Sequence, residues 1–333
     1  MTPIREVRDL SPATFRDELV ERYEPVVIRG AAAGWPLVAA GSSPGSASAY
    51  LRQFDRGSTA EAFVGQPEIR GRYFYTPDMR GFNFERRKGP LAALLATLEQ
   101  VHDSDAPPSI YAGALDADAT LPGLSVANPM PLVEGLDATP RLWIGNASIV
   151  SIHFDASDNV AVVAGGRRRF TLFPPDQVHN LYVGPLDHNM AGQPASMVEL
   201  NDPDFDRYPR FREALAAARV AELEPGDAIF IPALWWHQVD ALSRFNLLMN
   251  YWWADSPDMP ARMEAMVHAI LAVSHLSEPR REAWRAMFDT FAFRRHGHPA
   301  EHLPVEQHRV LGEPSPGWRS YLRQYLLRGL QRP

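Results

Sequence analysis

The chain contains no cysteine. That excludes a disulfide framework, a thiolate cluster and a cysteine nucleophile, so any metal must be held by His, Asp or Glu. Lysine is almost as scarce: of the 33 basic residues only Lys88 is lysine, and a buried anion must be met by arginine. No stretch approaches the ~20 uninterrupted apolar residues of a membrane span, and the start MTPIR leads into mixed sequence without a signal-peptide apolar run. These absences predict a cytoplasmic protein with no membrane partner. Acidic residues outnumber basic ones 40 to 33, for a net charge of −7, which argues against nucleic acid as a partner, because a broad grip on phosphates needs clustered cations. What remains is a globular composition, 45% hydrophobic over 333 residues, enough for one large domain or two small ones.

Along the chain, SPATFRDELVE at 11–21 has a capping serine, a first-turn proline and apolar Phe15 and Leu19, and predicts a helix. PVVIRG at 25–30 and RYFY at 72–75 read as strands, GSSPGSAS at 41–48 as a flexible loop, and 88–101 as a helix. The middle of the chain becomes a series of short β-branched and aromatic runs cut by Gly and Pro, the pattern of a barrel or sandwich. NVAVVA at 159–164 and RRRFTLF at 167–173 flank Gly165-Gly166, which predicts a hairpin with a two-residue turn. Alternation then places Asn159, Ala161, Val163, Arg168, Phe170 and Leu172 on one face. It also splits Arg167-Arg168-Arg169 between opposite faces, which weakens their reading as a nucleic-acid patch. After Trp253 the periodicity turns helical. Met263, Met266, Ile270 and Val273 form one stripe, Trp284, Phe288 and Phe291 a second, and Trp318, Tyr321, Leu322, Tyr325 and Leu326 a third. Such stripes either pack on their own domain or form a dimer interface.

The chemistry concentrates in two places. In SIVSIHFD at 148–155 the residues i and i+2 of a strand point the same way, so His153 and Asp155 address one point while Phe154 faces away. Far downstream, EPGDAIFIPALWWH at 224–237 gives a turn, an apolar strand, a proline stop and His237. Two histidines and one carboxylate on one side of a metal leave three octahedral positions open, the arrangement of non-haem Fe(II) oxygenases. A chelating 2-oxoacid takes two of them and dioxygen the third. Trp235 and Trp236 read as packing beside His237, Trp252 shares strand parity with Asn250, and Tyr73, Tyr75 and Asn83 belong to a segment able to reach over a barrel mouth.

In combination, HFD at 153–155, GGRRRFTLFPPDQ at 165–177, NDPDFDRYPRF at 201–211, PGDAIFIPALWWH at 225–237 and NYWW at 250–253 resemble the JmjC/cupin-like 2-oxoglutarate oxygenases, and within them the asparaginyl-hydroxylase subgroup. YEPVVIRGAAAGWP at 23–36 and RYFYTPDMRGFNFE at 72–85 are similar to the same subgroup. The resemblance implies a mainly β fold with flanking helices. Its core is a double-stranded β-helix (cupin or jelly-roll) barrel at 121–256, preceded by flanking helices and strands at 1–120; beyond the resemblance, the three stripes predict a helical region at 257–333, a candidate for dimerisation. The resemblance implies that His153, Asp155 and His237 bind Fe(II), with 2-oxoglutarate and O2 as cosubstrates, and that Arg168, Tyr111, Asn159 and Asn250 line the 2-oxoglutarate pocket. The expected reaction is hydroxylation of a protein or peptide side chain, with release of succinate and CO2. The same iron chemistry on an RNA base, a methylated group or a small metabolite is one alternative; a non-catalytic cupin binding a ligand or another metal is the other. Three departures from the subgroup stand out. Arg168 replaces the usual lysine, Val150 replaces a threonine that binds the cosubstrate, with Ser151 beside it, and Pro194-Ala195 replaces the Arg-Gln pair that grips the substrate amide, with Gln193 nearby. Asparagine specificity therefore does not follow.

Overall fold

The computed structural model describes residues 1–256 and 261–331; the expected boundary at 256/257 abuts residues outside that set. The chain divides into two compact units, 1–259 and 260–333.

The first unit carries the strands, which are β1 (Thr2–Pro3), β2 (Arg5–Val7), β3 (Val26–Ile28), β4 (Thr59–Gly65), β5 (Phe84–Pro90), β6 (Ser109–Asp116) and β7 (Thr139–Gly145). They continue as β8 (Ser148–His153), β9 (Asp158–Gly165), β10 (Arg168–Phe173), β11 (Arg219–Leu223), β12 (Ala228–Ile231), β13 (Trp236–Ala241) and β14 (Asn246–Trp253). They form a five-stranded sheet, β1-β11-β10-β13-β8, and a nine-stranded sheet, β2-β3-β12-β9-β14-β7-β6-β4-β5. Such a pair of sheets with flanking helices is the jelly-roll arrangement expected of a cupin. Strands from either side of residue 120 pair within the larger sheet.

β9 is buried along its whole length, and its apolar run follows from having cores on both faces. Val160, Val162 and Ala164 pack outward with Phe15, Leu19, Leu51 and Leu95 of the flanking helical segments. Ala161 and Val163 pack inward with Ile229, Ile231, Leu248, Phe170 and Leu172. This inner cluster is the floor on which the site is built.

The expected hairpin at Gly165-Gly166 does not form. β9 pairs with β12 and β14, whereas β10 pairs with β11 and β13, so the glycines carry the chain from one sheet to the other. A Cβ on Gly165 would sit 2.5 Å from the Gly41 carbonyl oxygen, and Gly166 has φ +72°. These are demands of close packing and of a left-handed backbone rather than of a hairpin turn. The shared face survives for another reason: Ala161 and Val163 meet Phe170 and Leu172 across the interior rather than side by side.

Other local expectations also change. Residues 41–48 are not a loop, since the helix Pro44–Leu51 starts there, capped by the Ser43 side chain on the Ser46 N–H. Its small residues allow close packing, and Ala47, Ser48 and Leu51 are buried. The helix expected over 88–101 spans Leu91–Val101, because 88–90 complete β5. Segment 72–75 makes only isolated bridges, one of them Arg72 to Ile149 beside β8. The helix expected at 11–21 forms as Pro12–Thr14 continuing into the wider turns of Phe15–Val20.

The second unit is helical, with Ala261–Val273, Glu278–Phe291 and Pro316–Leu330. Among the described residues no helix is long and apolar enough to cross a membrane.

Candidate metal centre

His153 ends β8 and His237 lies near the start of β13, and the antiparallel register sets the two residues directly opposite one another. Their rings are 4.3 Å apart. Asp155 follows β8 by two residues, and its carbonyl is held by the Leu234 N–H at 2.8 Å, which ties it to the turn leading into His237. Its carboxylate oxygen lies 3.7 Å from Nε2 of His237. One ligand atom from each of the three side chains falls within 4.8 Å of the others, and among the described residues no other such cluster occurs. Phe154 faces away, edge-on to Trp236 at 4.9 Å, as strand parity requires.

The outer nitrogens explain how the imidazoles are aimed. Nδ1 of His153 donates to the Ser151 carbonyl at 2.9 Å, and Nδ1 of His237 donates to the Trp235 carbonyl at 2.9 Å. A carbonyl only accepts, so each Nδ1 carries the proton and each Nε2 is left as a lone-pair ligand, the usual support of a metal-binding histidine. Burial, reinforced by the neighbouring His153, lowers the His237 pKa to about 4. The ring is therefore neutral at physiological pH, the state a metal needs.

Behind the cluster, Arg168 is 4% exposed, its Nε has no hydrogen-bond partner, and among the described residues no carboxylate pairs with it. Burial lowers its pKa to about 10, against a smaller opposing effect of Tyr111, so the guanidinium still carries its charge at neutral pH. Burial also raises the Tyr111 phenol well above its ordinary value, and Arg168 partly offsets this. A buried cation without a counter-charge is costly, and a ligand carboxylate would relieve that cost. Arg167 and Arg169 point outward and share Glu222, at 4.0 and 2.8 Å, as the alternation predicts. Asn250 donates to Asn159 Oδ1 at 2.9 Å. All four residues expected in the 2-oxoglutarate pocket are thus buried on strands of the barrel, and the donor set fits Fe(II) with a dicarboxylate oxoacid beside it.

A family model described as "Cupin-like domain" matches residues 12–259, well over half of the chain. The chain belongs to this family. Its relatives include "Lysine-specific demethylase JMJ31" of Arabidopsis thaliana, 32% identical over 38% of this chain and 23% of the relative. "tRNA wybutosine-synthesizing protein 5" of Gallus gallus is 34% identical over 32% of this chain and 30% of the relative. "HSPB1-associated protein 1" of Homo sapiens is 31% identical over 39% of this chain and 26% of the relative. The match spans less than a third of each of these relatives. Together these matches support a 2-oxoglutarate oxygenase-like family, and that family implies dependence on Fe(II) and 2-oxoglutarate.

The cupin-like barrel also contains site residues that the sequence reading passed over. Trp143 donates from Nε1 to Asn250 Oδ1 at 2.5 Å and stacks on Tyr111 at 5.8 Å. Tyr73 packs on the other neighbour of that stack, 5.8 Å from Tyr111, and Trp252 meets Trp143 edge-on at 5.6 Å. The alternation in RLWIG at 141–145 was the available signal: Leu142 and Ile144 join the outer core, so Trp143 must face in. Asn83 instead fastens its own segment, accepting from the Phe74 N–H and donating to the Arg72 carbonyl. Tyr75 donates to the His188 carbonyl at 2.6 Å, joining that segment to the 184–197 loop, whose Ala195 bridges His153. The Val150 departure has a local counterpart. Val239 pairs with Val150 while His237 pairs with His153, so β8 holds one extra residue between them. Ser151 lies in that bulge, and its buried Oγ has no partner.

Proposed function

We propose that this cupin-like protein is an Fe(II)- and 2-oxoglutarate-dependent hydroxylase of a protein side chain. The observation that carries the reading is the conjunction of the His153, Asp155 and His237 cluster with the buried, unpaired guanidinium of Arg168. When bound, Fe(II) with 2-oxoglutarate and dioxygen supplies the oxidising power to place one oxygen atom in a substrate C–H bond and the other in succinate, with release of CO2. The protein's own part is orientation and exclusion of competing reactions. Nε2 of both histidines and the Asp155 carboxylate would hold the metal, with the His237 imidazole kept neutral by burial. Arg168 and Tyr111 take the far carboxylate of 2-oxoglutarate, where the guanidinium fork suits a carboxylate. Tyr73, Tyr111 and Trp143 form an aromatic wall that keeps water from this end of the pocket.

A second reading, the same chemistry on an RNA base, a methylated group or a small metabolite, has the names of the tRNA-modifying and demethylase relatives in its favour. A third, a cupin that binds without catalysis, draws only on the replacements at Arg168 and Val150. Incubation with Fe(II), 2-oxoglutarate and a peptide library separates them. The proposal expects peptide-dependent succinate and a product heavier by one oxygen atom, and succinate formed only with RNA or a metabolite would sink the protein-substrate part of it.

We also propose that the helical second unit pairs two copies of the chain. Within it Ala300 is the one buried residue among the described side chains, while Ile270, Trp284, Phe288, Phe291, Tyr325 and Leu326 are all exposed. Apolar exposure on that scale marks an interaction surface.

A further inference from the structure

We propose that Trp143 is a positioning residue that decides which end of the Asn159 side chain is offered to the barrel cavity. The Asn159–Asn250 pair is degenerate. Two asparagines joined by one hydrogen bond can adopt either polarity, because each amide has a donor end and an acceptor end and the pair gains the same bond with both turned over. An indole Nε1–H has no such freedom, since it only donates. Trp143 donates to Asn250 Oδ1 at 2.5 Å, which commits the Asn250 NH2 to the other side, where it donates to Asn159 Oδ1 at 2.9 Å. The Asn159 acceptor is thereby used, and its NH2 is the end left to address a ligand.

The relay steps diagonally across three neighbouring strands. Trp143 is registered with Leu248 on β14, Asn250 with Ala161 on β9, and Trp252 with Asn159. It therefore ends four residues beyond Asp155, on the side of the barrel floor that Ala161 and Val163 continue. The indole is fixed independently of the hydrogen bond. Tyr111 stacks on it and Trp252 meets it edge-on, and β6 shifts register between Ala112 and Leu115 beside it. Within that shift a Cβ on Gly113 would lie 2.4 Å from the Trp143 ring, so only glycine leaves the indole its place. The buried side-chain atoms of the pocket that lack partners include two further donors, Arg168 Nε and Trp252 Nε1. With Asn159 turned NH2-first, three donors face an oxygen-rich ligand. This inference rests on the reading of the pocket as a 2-oxoglutarate site.

Two variants and two readouts test it. Trp143→Phe keeps the stacked ring and removes the N–H. Asn250→Asp supplies an acceptor-only group that draws the Asn159 NH2 toward itself and turns the Asn159 carbonyl to the cavity. With Mn(II) in place of iron, calorimetry of 2-oxoglutarate is expected to show binding weakened by about tenfold in Trp143→Phe and further in Asn250→Asp, with Mn(II) affinity unchanged in Trp143→Phe. Independently of ligand, the Asn159 side-chain NH2 resonances are expected as one sharp pair in the parent protein and as doubled or broadened signals in Trp143→Phe. Unaltered amide signals in Trp143→Phe, or parent-like 2-oxoglutarate binding in both variants, would overturn the relay. If the parent binds no 2-oxoglutarate while the amide signals still respond to Trp143→Phe, the 2-oxoglutarate reading fails and the relay stands.

Discussion

Arg168 is a charge that no carboxylate among the described residues neutralises, and that separates stability from function at a single residue. Replacing it by an apolar side chain of similar reach removes the uncompensated charge along with the carboxylate-binding group. Arg168→Met is therefore expected to stabilise the ligand-free protein by about 1–3 kcal/mol while abolishing 2-oxoglutarate binding. Thermal melts and calorimetry check both halves, and a destabilised variant would mean that an unidentified anionic partner exists within the fold. His237 gives a second residue-scale expectation. Burial lowers its folded pKa to about 4, against about 6.5 for an ordinary histidine, so between those values the unfolded chain takes up a proton that the folded chain refuses. Stability of the metal-free protein should fall as pH drops from 6.5 toward 4, with no contribution from this residue above 6.5. Urea titrations across that window should show a shallower pH dependence in His237→Gln, and an unchanged slope would assign the effect elsewhere. At this scale the sequence was legible wherever period-two alternation applied, as for His153, Asp155 and the Arg167–Arg169 triplet. It gave the inward face of Trp143 but not its role, which depends on Asn250 of the neighbouring strand and Asn159 of the strand beyond.

The strands themselves show why local patterns mislead about connection while remaining right about faces. Gly165-Gly166 between two apolar runs is the standard mark of a hairpin, yet here the glycines serve a crossing between sheets and a backbone approach to Gly41. Pairing is a nonlocal property: β9 gains β12 and β14 as neighbours, and no residue within the run records which. Burial on both faces was recorded, in the unbroken run of small and β-branched residues. The crossing makes a specific demand that a hairpin would not. Gly165→Ala should cost about 1–3 kcal/mol, because its Cβ would meet the Gly41 carbonyl oxygen, as read by urea unfolding. A near-neutral result would show that the approach relaxes freely. The helix at Pro44–Leu51 carries the converse lesson, since a Ser/Gly/Ala composition that suggests a loop becomes a closely packed helix once Ser43 caps it and neighbours cover Ala47 and Leu51.

For the molecule as a whole, two units with opposite economies of burial share one chain. The barrel unit buries its apolar residues in two continuous cores on the two faces of the larger sheet, whereas the helical unit leaves most of its large apolar side chains exposed. The proposed pairing of two copies predicts a dimeric mass by light scattering, reduced to a monomeric one by Leu322→Arg with Leu326→Arg. A monomeric parent protein would end that proposal without touching the barrel. The fold was legible from the combined motifs, and the metal cluster from residues on two distant strands, while the substrate leaves no comparable mark, because the positions that grip it in the resembled subgroup hold Pro194 and Ala195 here. The proposed centre would hold Fe(II) on His153, Asp155 and His237 of one barrel, with 2-oxoglutarate against Arg168. Its most direct test is an anaerobic titration of the metal-free protein with Fe(II) and then 2-oxoglutarate, followed by visible absorption, with His153→Ala and Arg168→Met alongside. A charge-transfer band is expected that appears only when both are present, is absent in His153→Ala, and needs far more 2-oxoglutarate in Arg168→Met. Iron binding without that band in the parent protein would contradict it.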